Sequence, residues 1–131
     1  MADERSPQGF QDDWAANLLS YLPIWGLPKV AIIISAFAAT PLRTVVWIAA
    51  LACMGVACIM NSRRCGRVHC RYTGPFYLIL IVPVGLLGAG GFELGHYAWI
   101  ALGALGVFGG YAITWVTESA WGRYENSRRQ P

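Results

Sequence analysis

The sequence predicts an all-α integral membrane protein with three transmembrane helices and an amphipathic N-terminal helix lying in the membrane interface. Of its 131 residues, 56% are hydrophobic and only 13% are charged, whereas soluble domains carry about 25% charged residues. Long apolar stretches alternate with short polar segments in which arginines cluster. A bilayer is therefore the expected solvent, and the whole chain is expected to form one membrane domain.

The N-terminal segment, residues 1–28, is polar at first and then amphipathic. Asp12 and Asp13 stand where a helix would begin, and the apolar residues after them recur at the spacing of one helical face until Pro23. We expect a short helix at headgroup depth that ends at Pro23. A frayed tail is an equally compatible interpretation.

The first transmembrane helix is predicted at residues 42–61, because this apolar run approaches the length of about 20 residues that a span needs. Residues 24–40 are also apolar but contain Lys29, which is costly inside a bilayer. We interpret residues 24–40 as a packed or interfacial helical segment. A lead-in helix kinked at Pro41, a re-entrant piece or a fourth span are the alternatives.

The second and third transmembrane helices are predicted at residues 76–92 and 97–117, followed by a polar tail at 118–131. The sequence Tyr72-Thr73-Gly74-Pro75 predicts a turn before the second helix. Small residues let helices approach closely in lipid, so the glycines of these two spans predict a tight hairpin, or else a surface for self-association or for a larger partner. These glycines are Gly85, Gly88, Gly90, Gly91, Gly103, Gly106, Gly109 and Gly110.

The distribution of arginines predicts the orientation in the cytoplasmic membrane. The segment 61–75 contains no acid and four arginines, which we expect to meet anionic lipid headgroups: Arg63, Arg64, Arg67 and Arg71. The C-terminal tail adds three more arginines. Because basic segments stay in the cytoplasm, three spans place the arginine segment and the C-terminus inside and the N-terminus outside.

The same basic segment contains a cluster of soft-metal ligands, Cys65, His69 and Cys70, with Cys58 upstream in the first span. Thiolate is the form of cysteine that binds metals, and neighbouring cations favour it. If the first helix continued past residue 61, Met54, Cys58, Asn61 and Cys65 would share one face, and His69 would extend it. If Gly66 broke the helix, Cys65 and Cys70 would approach each other across a loop.

This cysteine layout, over residues 42–75, resembles the small bacterial mercuric-ion uptake proteins. The resemblance implies a compact membrane protein that passes an ion from a cysteine pair in its first span to a second pair at the cytoplasmic side. Cys53 and Cys58 would match the first pair, and Cys65 and Cys70 the second. In that family the first pair is usually adjacent, whereas Cys53 and Cys58 are five residues apart and point away from each other on a helix.

We therefore expect a membrane protein that binds a thiophilic ion, Hg(II) or Cu(I), and relays it to the cytoplasm, with Cys65, Cys70, His69 and Cys58 as ligands. The ion would be transient, and no resident cofactor is expected. A non-catalytic accessory or scaffold subunit of a larger membrane complex is the alternative, and a redox-sensing loop is a third reading. The sequence contains no P-loop, dinucleotide fingerprint, catalytic nucleophile with a base, or nucleic-acid-binding motif, so neither an enzyme nor a nucleic-acid partner is expected.

Overall fold

The structure is a computed structural model that describes residues 17–90 and 95–122, apart from the side chain of Cys65. The described chain is helical, which confirms the predicted all-α class, and four of its helices are long and apolar enough to cross a membrane. We label these helices α1 (Leu18–Ser35), α2 (Thr40–Cys65), α3 (Val68–Gly88) and α4 (Gly95–Trp121). Consecutive helices pack against one another. The prediction counted three such helices, and α1 is the additional one.

Helix α1 continues through Pro23, where the sequence predicted an end. The Asn17 side chain caps the helix by accepting a hydrogen bond from the Leu19 N–H at 3.1 Å. The turn Leu22–Gly26 widens into a π-helix, in which the Leu27 N–H donates to the Leu22 carbonyl. Such a wider turn allows a helix to continue past an irregular position. The predicted helix start at Asp12 and Asp13 lies outside the described residues.

Lys29 is tolerated in α1 because it folds back along the helix. Its Nζ donates to the Tyr21 hydroxyl at 3.1 Å and lies 5.4 Å from the centroid of the Tyr21 ring. A hydroxyl acceptor and an aromatic face both reduce the cost of placing an ammonium in apolar surroundings. The charge of Lys29 is therefore compatible with the apolar character of the rest of α1.

Helices α2 and α3 form a hairpin whose turn lies at Gly66 and Arg67. Gly66 has a φ of 69°, a left-handed conformation that ends α2, and α3 begins at Val68. The alternative in which Gly66 breaks the helix is thus confirmed, whereas the turn predicted at Tyr72-Thr73-Gly74-Pro75 is wrong. That sequence lies inside α3, which therefore begins eight residues before the predicted start of the second span.

The closest approach between α2 and α3 is at Gly55 and Gly74. A Cβ atom added to Gly55 would lie 3.0 Å from the Gly74 carbonyl oxygen, and a Cβ on Gly74 would lie 3.0 Å from that of Gly55. The predicted glycine hairpin between the last two spans is present only in part. Gly109 and Gly110 of α4 receive aromatic rings of α3, whereas Gly88 of α3 packs against α2 and Gly85 has open space around it.

The opposite end of the bundle is fixed by aromatic and cationic side chains. Arg43, at the start of α2, is buried and donates to the Ala38 carbonyl at 2.8 Å. Its guanidinium carbon lies 5.1 Å from the centroid of the Trp99 ring, and Trp99 packs edge-on against Trp47. These contacts connect the 36–39 turn, α2 and α4.

At the other end of the bundle, helix α4 continues to Trp121. Glu118, which the sequence predicted to begin the polar tail, is therefore part of this helix.

Candidate functional site

Two buried thiols, Cys58 of α2 and Cys70 of α3, lie close to each other in the core where these helices meet. Both are free cysteines, with 2% and 0% of their surface exposed. The Trp25 indole N–H donates to Cys58 Sγ at 3.2 Å, and the Asn61 amide donates to Cys70 Sγ at 3.5 Å. Residues from α1, α2 and α3 thus enclose this thiol pair.

His69 connects the thiol pair to α4. Its Nε2 lies 3.4 Å from Cys70 Sγ, and its Nδ1 lies 2.7 Å from Glu118 Oε1. Arg67 donates to the same carboxylate oxygen at 3.4 Å from both Nε and a terminal nitrogen. The carboxylate therefore fixes the ring of His69 with its second nitrogen directed at Cys70.

Of the four ligands predicted from the sequence, the structure brings Cys58, Cys70 and His69 together. The side chain of Cys65 lies outside the described residues. Cys53 is exposed whereas Cys58 is buried, so these two side chains point in different directions, as their spacing predicts.

The pairing of Cys58 with Cys70 was missed, and so were the contacts of Trp25 and Glu118. One signal was available in the sequence. An antiparallel hairpin brings together residues at similar distances on the two sides of its turn. Both the thiol pair and the Gly55–Gly74 pair are centred on residues 64–65, close to the turn at Gly66. The predicted turn at residues 72–75 concealed this register.

The predicted stripe of ligands along one face of α2 is present over part of its length. Met54, Cys58 and Asn61 are all buried, with 2%, 2% and 0% of their surface exposed. The stripe does not continue to His69 on the same helix, because α2 ends at Cys65. His69 instead reaches the thiols from α3.

A cavity of ≈ 420 Å³ lies against the thiol pair and is lined by residues of all four helices. Cys58 and His69 line it, together with Tyr21 and Lys29 of α1. Most of the remaining lining is apolar or glycine. Cys58 therefore borders this cavity, although only 2% of its surface is exposed.

The thiol pair does not belong to a metal site with three or more ligands in the described part of the chain. Within residues 17–90 and 95–122, leaving aside the side chain of Cys65, no three His, Cys, Asp or Glu side chains are grouped so as to hold a metal ion. A structural zinc site has four ligands, which this part of the chain does not supply.

Comparisons with protein-family models, with curated proteins and with solved structures find no match to this chain. The interpretation of the site therefore depends on its chemistry alone.

Proposed function

We propose that this chain is a multi-pass membrane protein that binds a thiophilic cation, Hg(II) or Cu(I), between Cys58 and Cys70 and relays it towards the cytoplasm. The proximity of two buried, free thiols on adjacent helices supports this proposal. Thiolates favour soft cations over Mg²⁺ or Ca²⁺. Compared with the sequence prediction, the principal pair becomes Cys58 with Cys70, His69 remains an assisting ligand, and Cys65 becomes the onward ligand at the end of α2.

Charge balance also favours such an ion at a buried site. Binding of Hg(II) replaces the two thiol protons and leaves a neutral bis-thiolate, which avoids burying a net charge in an apolar region. Binding of Cu(I) leaves one negative charge, and the ammonium of Lys29 lies within electrostatic range of Cys58. His69, 3.4 Å from Cys70 Sγ, is placed to accept a proton that Cys70 releases.

We further propose that all four helices span the membrane with the turn at Gly66 on the cytoplasmic side. The basic residues Arg63, Arg64, Arg67 and Arg71 flank that turn, and basic loops remain in the cytoplasm. Because α1 is antiparallel to α2 in such a bundle, the N-terminus then also lies in the cytoplasm. A three-span arrangement would instead place it outside.

Metal titration of the purified, reduced protein tests the proposed ion site. We expect near-stoichiometric binding of Hg(II) or Cu(I), measured by mass spectrometry of bound metal, and loss of that binding in Cys58→Ser and in Cys70→Ser. Cys53→Ser is the matched control, because Cys53 is an exposed thiol on the same helix as Cys58. Binding that persists in both single variants would overturn the proposal. Absence of binding, with a membrane protein that co-purifies, would favour the accessory-subunit alternative.

A further inference from the structure

Lys29 places a positive charge in the cavity without a carboxylate partner among the described residues. Its contacts are the hydroxyl and the ring of Tyr21, and neither carries a negative charge to balance the ammonium. The described residues that line the cavity include no Asp or Glu. An ionisable side chain at such a depth in a membrane protein commonly marks a binding site or an ion pathway.

A second donor in the cavity wall is also unsatisfied. Trp47 lines the cavity and is only 5% exposed, yet its indole N–H has no hydrogen-bond partner in the described part of the chain. Buried N–H groups almost always have an acceptor. Arg67 also lines the cavity but is paired with Glu118, so Lys29 is the lining Lys or Arg without a carboxylate partner among the described residues. An oxygen-bearing ligand would satisfy both Lys29 and the free N–H of Trp47.

The remaining walls are suited to an alkyl chain. Apolar side chains such as Leu51 and Leu80 line the cavity, together with glycines of α4 against which other side chains pack. The volume of ≈ 420 Å³ falls within the range of about 300–1,000 Å³ found for small-molecule sites. These glycines are Gly103, Gly106 and Gly110.

We propose that the cavity binds an anionic amphiphile of the fatty-acid type. The carboxylate pairs with the ammonium of Lys29 and accepts a hydrogen bond from the hydroxyl of Tyr21, while the chain lies along the apolar side chains of the cavity wall. An oxygen atom part-way along the chain would accept from the free N–H of Trp47. This proposal does not depend on metal binding at Cys58 and Cys70.

Lipid-free protein in a non-ionic detergent tests the proposal by native mass spectrometry with oleate and with oleyl alcohol, which has the same chain without the charge. We expect oleate to bind at one molecule per chain and about tenfold more tightly than the alcohol. Lys29→Met is expected to abolish this difference, whereas Lys29→Arg retains it. Arg63→Gln is the matched control, because it removes an exposed cation outside the cavity.

Equal affinities for oleate and oleyl alcohol in the wild type, or an unchanged preference in a folded Lys29→Met variant, would overturn the proposal. Far-UV circular dichroism checks that the variant retains its helices. The Trp47 contact is tested with ricinoleate, a hydroxylated oleate. We expect ricinoleate to bind more tightly than oleate to the wild type but equally to Trp47→Phe, and an unchanged preference in Trp47→Phe would remove Trp47 from the site.

The anionic group could belong to a free fatty acid or to a membrane lipid, and competition separates the two sources. Displacement of bound oleate by phosphatidylglycerol, but not by phosphatidylcholine, would identify an anionic phospholipid as the occupant. Failure of both lipids to displace oleate would identify the free acid. Equal displacement by both lipids would show that the charge is not recognised and would overturn the proposal.

Discussion

His69 and Glu118 are joined by a 2.7 Å contact between Nδ1 and Oε1 that connects α3 to α4. The two side chains are only 13% and 20% exposed. A histidine next to a metal ligand or serving as one commonly gives its other ring nitrogen to a carboxylate, which fixes the orientation of the ring. Glu118, 49 residues after His69 in the sequence, thus controls which way the ring of His69 faces.

Replacing Glu118 with alanine is expected to weaken both the fold and the ion site. The loss of a hydrogen bond to a charged group lowers the free energy of unfolding by about 1.5–3 kcal/mol. Loss of the orienting carboxylate is expected to lower the affinity for Hg(II) or Cu(I) by about 10-fold to 100-fold. Thermal unfolding and metal titration measure the two effects separately.

Glu118→Gln is the matched variant for this experiment, since its amide oxygen still accepts hydrogen bonds from His69 and Arg67. It is expected to retain most of the affinity that Glu118→Ala loses. Wild-type affinity in Glu118→Ala would show that the ring of His69 needs no orientation by this residue.

The Gly55–Gly74 contact predicts that alanine substitution at these two glycines lowers the stability of the protein, whereas it does not at a glycine with open space around it. A Cβ at Gly55 would lie 2.8 Å from Leu78 Cγ, and a Cβ at Gly74 would lie 2.6 Å from Ile59 Cγ1. Gly55→Ala and Gly74→Ala are therefore each expected to lower the free energy of unfolding by about 1–3 kcal/mol, the usual cost of overpacking. Unfolding in a denaturing detergent provides the measurement.

Gly85→Ala is the control for these two variants. It lies in the same helix as Gly74, but a Cβ there meets no atom within 4 Å. Because alanine is about 0.5–1 kcal/mol more favourable than glycine inside a helix, this variant is expected to be neutral or slightly stabilised. Equal losses for all three variants would contradict close packing at Gly55 and Gly74.

The all-α membrane class was predictable because a chain with so few charged residues lacks the polar surface of a soluble protein. The helix boundaries were less predictable, because they were inferred from local turn-forming residues whose effect a bilayer overrides. Gly74 and Pro75 indicate a turn in water. In lipid an unpaired backbone group is far more costly, so the helix continues through them. Thr73 also donates to the His69 carbonyl inside α3. The sequence also indicated Gly66 as a possible helix breaker, and it is Gly66 that ends α2.

The candidate site was only partly predictable because it depends on helix register. Three of the residues singled out from the sequence, Cys58, His69 and Cys70, lie near one another in the structure. The position of the turn between α2 and α3 determines which thiol lies next to Cys70. An error of a few residues in the predicted turn therefore assigns Cys70 to the wrong cysteine. The contribution of Glu118 could not be inferred at all, because nothing in the local sequence relates α4 to the segment 61–70.

Mild oxidation with copper phenanthroline is expected to link Cys58 to Cys70, because the two thiols lie close together in the core. The two thiols give one electron to each of two Cu(II) ions, release two protons to water and form one intramolecular disulfide. Peptide mapping by mass spectrometry identifies the linked pair. Cys65→Ser is expected to leave this disulfide intact, and a disulfide between Cys65 and Cys70 in the wild type would contradict the pairing.

Four spans predict that both termini lie on the same side of the membrane as the turn at Gly66. Reporter fusions at residues 17 and 122 are therefore expected to give the cytoplasmic signal, and a fusion in the 91–94 connection the opposite one. Green fluorescent protein and alkaline phosphatase are suitable reporters, because each is active on one side only. Opposite signals from the two terminal fusions would support three spans, with α1 lying outside the bilayer core.

Arg43 is expected to couple the 36–39 turn to α4 through its contact with Trp99. Its side chain is 8% exposed, donates to the Ala38 carbonyl at 2.8 Å and lies over the Trp99 ring at 5.1 Å. Removal of a desolvated cation–π contact costs up to about 2 kcal/mol, and loss of the charged hydrogen bond adds to it. Arg43→Met, which keeps the apolar stem, is therefore expected to lower the free energy of unfolding by about 2–4 kcal/mol.

A double-mutant cycle with Trp99→Leu separates the two contributions. If the guanidinium acts on the ring, the double variant loses less stability than the two single variants together, by about 0.5 kcal/mol or more. The Ala38 hydrogen bond does not involve Trp99, so its contribution cancels from this difference. Strictly additive losses would show that Arg43 stabilises the turn alone and that α4 is fixed at this end by the packing of Trp47 against Trp99.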